Sequence, residues 1–100
     1  MEEKIYDVTP YLAINLEERS VRYLGYILPL TATEFEILRA IALAEKEIDK
    51  QTVVSLVADR VKISAQSLSV HICSINKKAR GIGGRNLIKM CRQKGYFVEK

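Results

Sequence analysis

Ser64-Ala65-Gln66-Ser67-Leu68-Ser69-Val70-His71-Ile72-Cys73-Ser74-Ile75-Asn76-Lys77-Lys78-Ala79-Arg80-Gly81 is the stretch whose two faces decide the fold. At about 100° per residue, Leu68, Ile72, Ile75 and Ala79 fall on one side of a helix that Ser64 opens and Gly81 ends as a C-cap. Gln66, Val70, Cys73, Lys77 and Arg80 point the other way, with Ser69, Ser74 and Asn76 on the flanks. The apolar stripe demands a core to bury it. The outward face is polar and basic.

Upstream residues supply the partners for that stripe. Thr31-Ala32-Thr33-Glu34 has the spacing of a capping box, so a helix starts there, and Phe35, Leu38, Ile41 and Ala42 recur at helical spacing until Glu45-Lys46-Glu47 ends it. Asp49 is a second N-cap, followed by Val53, Val54, Leu56 and Val57 in a short apolar helix ending near Arg60. Earlier still, Tyr11 to Asn15, Ser20 to Tyr23 and Tyr26 to Leu28 read as antiparallel strands with turns at Glu17-Glu18 and Leu24-Gly25, closed by Pro29. Downstream of the loop Gly81 to Asn86, Leu87 to Cys91 and Tyr96 to Val98 read as two strands joined around Arg92-Gln93-Lys94-Gly95. The expected class is α+β, with a short N-terminal antiparallel sheet, three helices and a C-terminal β-hairpin.

With 100 residues, 48% of them hydrophobic and 28% charged, the chain is read as one globular domain over 1–100. No apolar run approaches the roughly 18 residues of a membrane span. The acidic start Met1-Glu2-Glu3-Lys4 lacks the layout of a secretory signal, so a cytoplasmic protein without membrane contact is expected. Cys73 and Cys91 stand without a CxxC or a histidine cluster, which points to free thiols and no metal. Paired carboxylates, a nucleophile with its base, and a metal-ligand set are all missing at workable spacing, so neither an enzyme nor a cofactor is expected. Gly81-Ile82-Gly83-Gly84-Arg85 has the glycines of a phosphate-cradling loop, but no Lys-Ser/Thr follows and a helix precedes it; it is read as a flexible connection.

The net charge of +4 hides an asymmetry. Residues 1–59 carry six Lys/Arg against eleven Asp/Glu, whereas residues 60–100 carry ten Lys/Arg against Glu99 alone, giving −5 and +9. A one-sided positive field attracts polyanions, and nucleic acid is the commonest of these in a cytosol. A helix about 10–12 Å across fits the major groove of duplex DNA, where Gln66, Ser69, Asn76 and Lys77 offer hydrogen bonds to base edges or phosphates. Arg92 and Lys94 on the hairpin would then meet phosphate or enter the minor groove.

Leu30-Thr31-Ala32-Thr33-Glu34-Phe35-Glu36-Ile37-Leu38 resembles the LTxxEFxLL run of OmpR/PhoB-type response-regulator effector domains. Ser67-Leu68-Ser69-Val70-His71-Ile72 is similar to that family's TVDVHI, and Arg92 with Gly95-Tyr96 looks like its VRGVGY wing. Order and spacing agree from about Leu12 to Val98. The resemblance implies a winged helix-turn-helix that binds DNA in a sequence-specific way, as a transcriptional regulator or the output domain of a two-component response regulator. No receiver domain is present in the chain. The resemblance also brings a homodimer on DNA and RNA polymerase as partners, although the connection Arg60 to Ile63 is shorter than the loop that can touch polymerase in the family.

Under that reading the DNA-binding candidates on the helix are Gln66, Ser69, Val70, His71, Cys73, Ser74, Asn76, Lys77, Lys78 and Arg80. Arg92 and Lys94 join them from the wing. Family members usually carry arginines where this chain has Gln66, Cys73, Ser74 and Asn76, and the wing has Met90-Cys91 for a Thr-Val pair and Gln93-Lys94 for Gly-Val. DNA sequence preference is therefore not carried over. His71, at the edge of the buried face, is read as packed or backbone-bonded, with a phosphate contact as the alternative and metal ligation set aside. Tyr96 is expected to fill the core in preference to stacking on a base. Cys73 is read as a small neutral surface residue in preference to a redox-sensitive thiol. The rival function is a winged-helix protein-interaction module with weak or no DNA binding, docking through the neutral helix face and Val70.

Overall fold

The chain opens with β1 (Ile5–Thr9), β2 (Leu12–Asn15), β3 (Ser20–Tyr23) and β4 (Tyr26–Ile27), an antiparallel meander in which each strand pairs with the next. It continues through α1 (Ala32–Ala42), α2 (Lys50–Val57) and α3 (Ala65–Gly81) to the hairpin β5 (Ile88–Cys91) and β6 (Gly95–Val98). The computed structural model describes residues 5–99; the start Met1-Glu2-Glu3-Lys4 and Lys100 lie outside the described residues. No helix among the described residues is long and apolar enough to cross a membrane.

Alternation makes the sheet one-sided. Leu12, Ile14 and Val21 are buried, while Arg22 between Val21 and Tyr23 is exposed. Leu24 (φ 54°) and Gly25 (φ 84°) turn β3 into β4 with two left-handed residues, the geometry that matches strand twist. Two corrections concern this end. β1 was not foreseen, because none of its residues is buried and an edge strand carries little hydrophobic alternation. Tyr11, expected to begin a strand, sits in the β1–β2 turn with its side chain 66% exposed.

The capping box starts α1 as its spacing demands. The Thr31 hydroxyl accepts from the Glu34 amide at 3.1 Å, and the Glu34 carboxylate accepts from the Thr31 amide at 2.9 Å. Ser64 and Ser67 repeat the arrangement at the start of α3. Past Gly81, the Gly84 amide donates to the Ala79 carbonyl and the Gly83 amide to the Arg80 carbonyl, a Schellman ending with Gly83 at φ 95°. The cap thus falls on Ile82 and Gly81 is the last helical residue, one position later than the sequence suggested.

Phe35, Leu38, Ile41 and Ala42 of α1, Val53 and Val57 of α2, and Leu68, Ile72, Ile75 and Ala79 of α3 are all buried. Most of these form one core with Leu12, Ile14, Val21, Leu87, Ile88, Tyr96 and Val98. Each fully buried aliphatic side chain contributes about 1.5–3 kcal/mol relative to exposure. Tyr96 is 8% exposed, so it packs as expected. Its backbone also exchanges two hydrogen bonds with Ile48, making Ile48 a one-residue third strand on the hairpin. Gly95 (φ 117°) permits this approach, since a Cβ there would lie 2.1 Å from the Ile48 carbonyl oxygen.

One charge is buried with its partners. The Glu36 side chain is 3% exposed and faces three guanidinium groups, those of Arg19 at 2.6 Å, Arg39 at 3.4 Å and Arg60 at 3.8 Å. This cluster ties the β2–β3 turn to α1 and to the segment after α2. Its arginines are engaged away from α3.

Candidate nucleic-acid interface

Helix α3 lies across the domain with its apolar side down, and what it leaves uncovered is a narrow stripe. Gln66, Val70, Cys73, Lys77 and Arg80 are exposed, as the wheel predicted, and Ser69 from the flank is exposed with them. Apart from Ser69, these residues fall within about 80° of arc at 100° per residue. The two flanks are covered by different neighbours, and that divides the remaining candidates.

On the hairpin side, Asn76 is 7% exposed, and its expected outward role on the flank is corrected by its bonding. Its Nδ2 donates to the Ile88 carbonyl and its Oδ1 accepts from the Ile88 amide, both at 2.9 Å. The amide thus substitutes for a neighbouring strand and clamps β5 to α3. Its amide plane is thereby fixed on the Ile88 backbone, and the side chain meets the groove only at its edge.

On the α1 side, Ser74, Lys78 and His71 are partly buried. The Lys78 ammonium donates to the Glu34 carboxylate at 2.5 Å and to the Pro29 carbonyl at 2.9 Å, so it closes α3 onto the start of α1 in place of reaching outward. Burial pushes the Glu34 carboxyl up, but hydrogen bonds from Lys78, Ser74 and the Thr31 amide more than offset this and hold it below the ordinary glutamate range. Ser74 is thereby also drawn toward α1. These two flank candidates serve the junction between helices.

Between the stripe and the hairpin runs a groove of about 330 Å³ whose lining includes Ser69, Cys73, Arg80, Asn86 and Met90. A second, open hollow of about 480 Å³, lined by Ser69, Val70, Cys73, Ser74 and Lys77, lies over the stripe itself. Neither contains an Asp or Glu. Arg92 lies just past the end of β5, in the turn that joins it to β6. Arg92, Gln93 and Lys94 are exposed, with Gln93 in the left-handed region at φ 69°. Among the described residues Lys77, Arg92 and Lys94 hold no ion pair, whereas Arg80 bonds the Asn86 side chain and Lys89 pairs with Glu99. Cys73 and Cys91 are free thiols. The sequence missed Met90, 68% exposed on the groove wall; it shares a strand face with Ile88, which is buried against α3, and lies beyond that cover toward the hairpin turn, so strand periodicity alone does not reveal its exposure.

Three helices, an exposed third helix and a hairpin pinned beside it make a winged helix. The architecture is that of OmpR/PhoB-type response-regulator effector domains, as comparison with solved structures shows. A streptococcal redox sensor, described as evolved from two-component response regulators, superposes with a TM-score of 0.79 at 20% identity, over 100% of this chain and 44% of that one. The Klebsiella pneumoniae RstA DNA-binding domain in complex with the RstA box matches with a TM-score of 0.73 at 24% identity, over 95% and 96% of the two chains. Thermotoga maritima DrrB, an OmpR/PhoB homologue, matches with a TM-score of 0.73 at 23% identity, covering 97% of this chain and 45% of that one. The chain therefore spans less than half the length of the streptococcal and Thermotoga proteins. No protein-family model and no curated protein matches it.

Proposed function

We propose that the chain binds duplex DNA in a sequence-specific way, with α3 in the major groove and the β5–β6 wing on the adjacent backbone or minor groove. Its role is that of a transcriptional regulator or the output domain of a two-component response regulator. The observation that supports this reading is the exposed α3 stripe bordered by an acid-free groove against β5, with Lys77 on the stripe and Arg92 and Lys94 exposed in the hairpin turn. Gln66 and Ser69 face base edges; Lys77, Arg80, Arg92 and Lys94 neutralise phosphates. The RstA domain of the same fold, solved with its DNA box, supports the reading. A second copy on DNA and RNA polymerase are the protein partners proposed with it, the latter through the connection 58–64 between α2 and α3.

A second reading has its own observation. Val70 on α3 is 69% exposed and Met90 on β5 68% exposed, apolar side chains that suit a protein-docking surface on the helix face and the hairpin beside it. Amide chemical shifts recorded while a 20-base-pair duplex is added separate the two. DNA binding requires changes concentrated at Gln66, Ser69, Val70, Cys73, Lys77 and 92–94. Changes confined to the N-terminal sheet, or none at low salt, would favour docking.

A further inference from the structure

The α3 stripe is unusual in what it lacks. Over 65–76, the first three turns, there is no lysine or arginine, and its exposed centre is Val70 with Cys73 one turn on. In a helix-turn-helix the N-terminal part of the recognition helix meets the base edges. Guanine is read there mainly by the paired donors of arginine or lysine, which this segment does not supply. Val70 has no polar atom, and a thiol is only a weak donor. The apolar group that the major groove itself displays is the C5 methyl of thymine.

Val70 is no part of the core: its side chain is 69% exposed, and it lines an open hollow with Cys73, Ser69, Ser74 and Lys77. Residues three apart on a helix have Cβ atoms about 5–6 Å from one another, so Val70 and Cys73 form one continuous apolar spot. Gln66, one turn earlier on the same stripe, carries the side-chain amide that pairs with adenine N6 and N7. Cations are held back to Lys77 and Arg80 at the C-terminal end, where they reach backbone and not bases. We infer, on the basis of the DNA-binding reading above, that Val70 and Cys73 are specificity-determining residues that read thymine C5 methyl groups, giving the domain an A·T-directed half-site.

The test uses a duplex selected by the protein from a random pool and the same duplex synthesised with deoxyuridine in place of thymidine. Uracil keeps every hydrogen-bonding group and loses only the methyl. Burying one methyl is worth roughly a fourfold change in affinity, so the uracil duplex should bind about 4- to 15-fold more weakly. Val70→Ser, at an exposed site that leaves folding intact by circular dichroism, should shrink that ratio by about fourfold, and Val70→Thr, which keeps a methyl, should preserve more of it. Arg92→Ala should weaken both duplexes alike and leave the ratio unchanged, separating methyl reading from any change in groove shape. Equal affinity for the two duplexes overturns the inference while DNA binding stands. A uracil penalty that persists in full in Val70→Ser and in Cys73→Ser also overturns it. Failure to bind either duplex overturns both this inference and the reading it rests on.

Discussion

Replacing Asn76 with Ala should destabilise the domain, not retune its base preference. The side-chain amide makes two 2.9 Å hydrogen bonds to the backbone of Ile88, and both partners are buried with it. Truncation strands one amide and one carbonyl, each costing about 1–3 kcal/mol when unsatisfied. Some relief comes from water at the edge of the groove, so the net loss should be about 2–4 kcal/mol, a large share of the 5–15 kcal/mol typical of a domain. At about 4–8 °C per kcal/mol for a domain of this size, Tm should fall by roughly 10–30 °C. Because the same amide pins β5 against α3, hydrogen exchange at the Ile88 amide should speed up more than exchange in the N-terminal sheet. Thermal unfolding by circular dichroism and native-state exchange read the two effects. A Tm within about 2 °C of wild type would refute the clamp. Changed base preference at full stability would return Asn76 to the reading face.

Further outcomes follow from the same geometry. Lys77→Ala and Arg92→Ala should each flatten the plot of log affinity against log salt by about 0.9, as loss of one phosphate contact requires; unchanged slopes would place the contacts elsewhere. Lys78→Met should leave the slope as it is. It should instead change acid stability: the Glu34 carboxyl is held below its ordinary value of 4.5, so its stabilisation is complete above that pH and is lost as pH falls through the folded value. Removing Lys78 takes away much of what holds the carboxyl down, and denaturant titrations from pH 6 to 3 should show a smaller acid-linked loss than in wild type. Gly95→Ala forces a Cβ to within 2.1 Å of the Ile48 carbonyl oxygen at φ 117°, and it should cost about 2–5 kcal/mol in urea unfolding; retained stability would mean the Ile48 bridge yields freely.

The parts of the fold written in local spacing were legible in the residues. Thr31 with Glu34, Ser64 at its helix start, the Leu68-Ile72-Ile75-Ala79 stripe and the Arg92–Gly95 turn each encode their structure within a few positions. What escaped depends on a partner distant in sequence. β1 is an edge strand with no buried side chain to mark it. Ile48 becomes a strand only because Tyr96 lies beside it, and Glu36 is tolerated in the interior only because Arg19, Arg39 and Arg60 converge on it. The same limit governs the candidate interface. A helical wheel gives the direction of Asn76 and Lys78 but not what lies there; β5 covers the first, and the start of α1 claims the second.

The proposal that α3 and the wing form a DNA-binding face rests on phosphate neutralisation by Lys77, Arg80, Arg92 and Lys94. Titration of the domain with its pool-selected duplex between 50 and 200 mM salt measures this directly. Three to four neutralised phosphates give a slope of about −2.7 to −3.6, an affinity loss of roughly 40- to 150-fold across that range. Affinity independent of salt, or no binding at 50 mM, would contradict it.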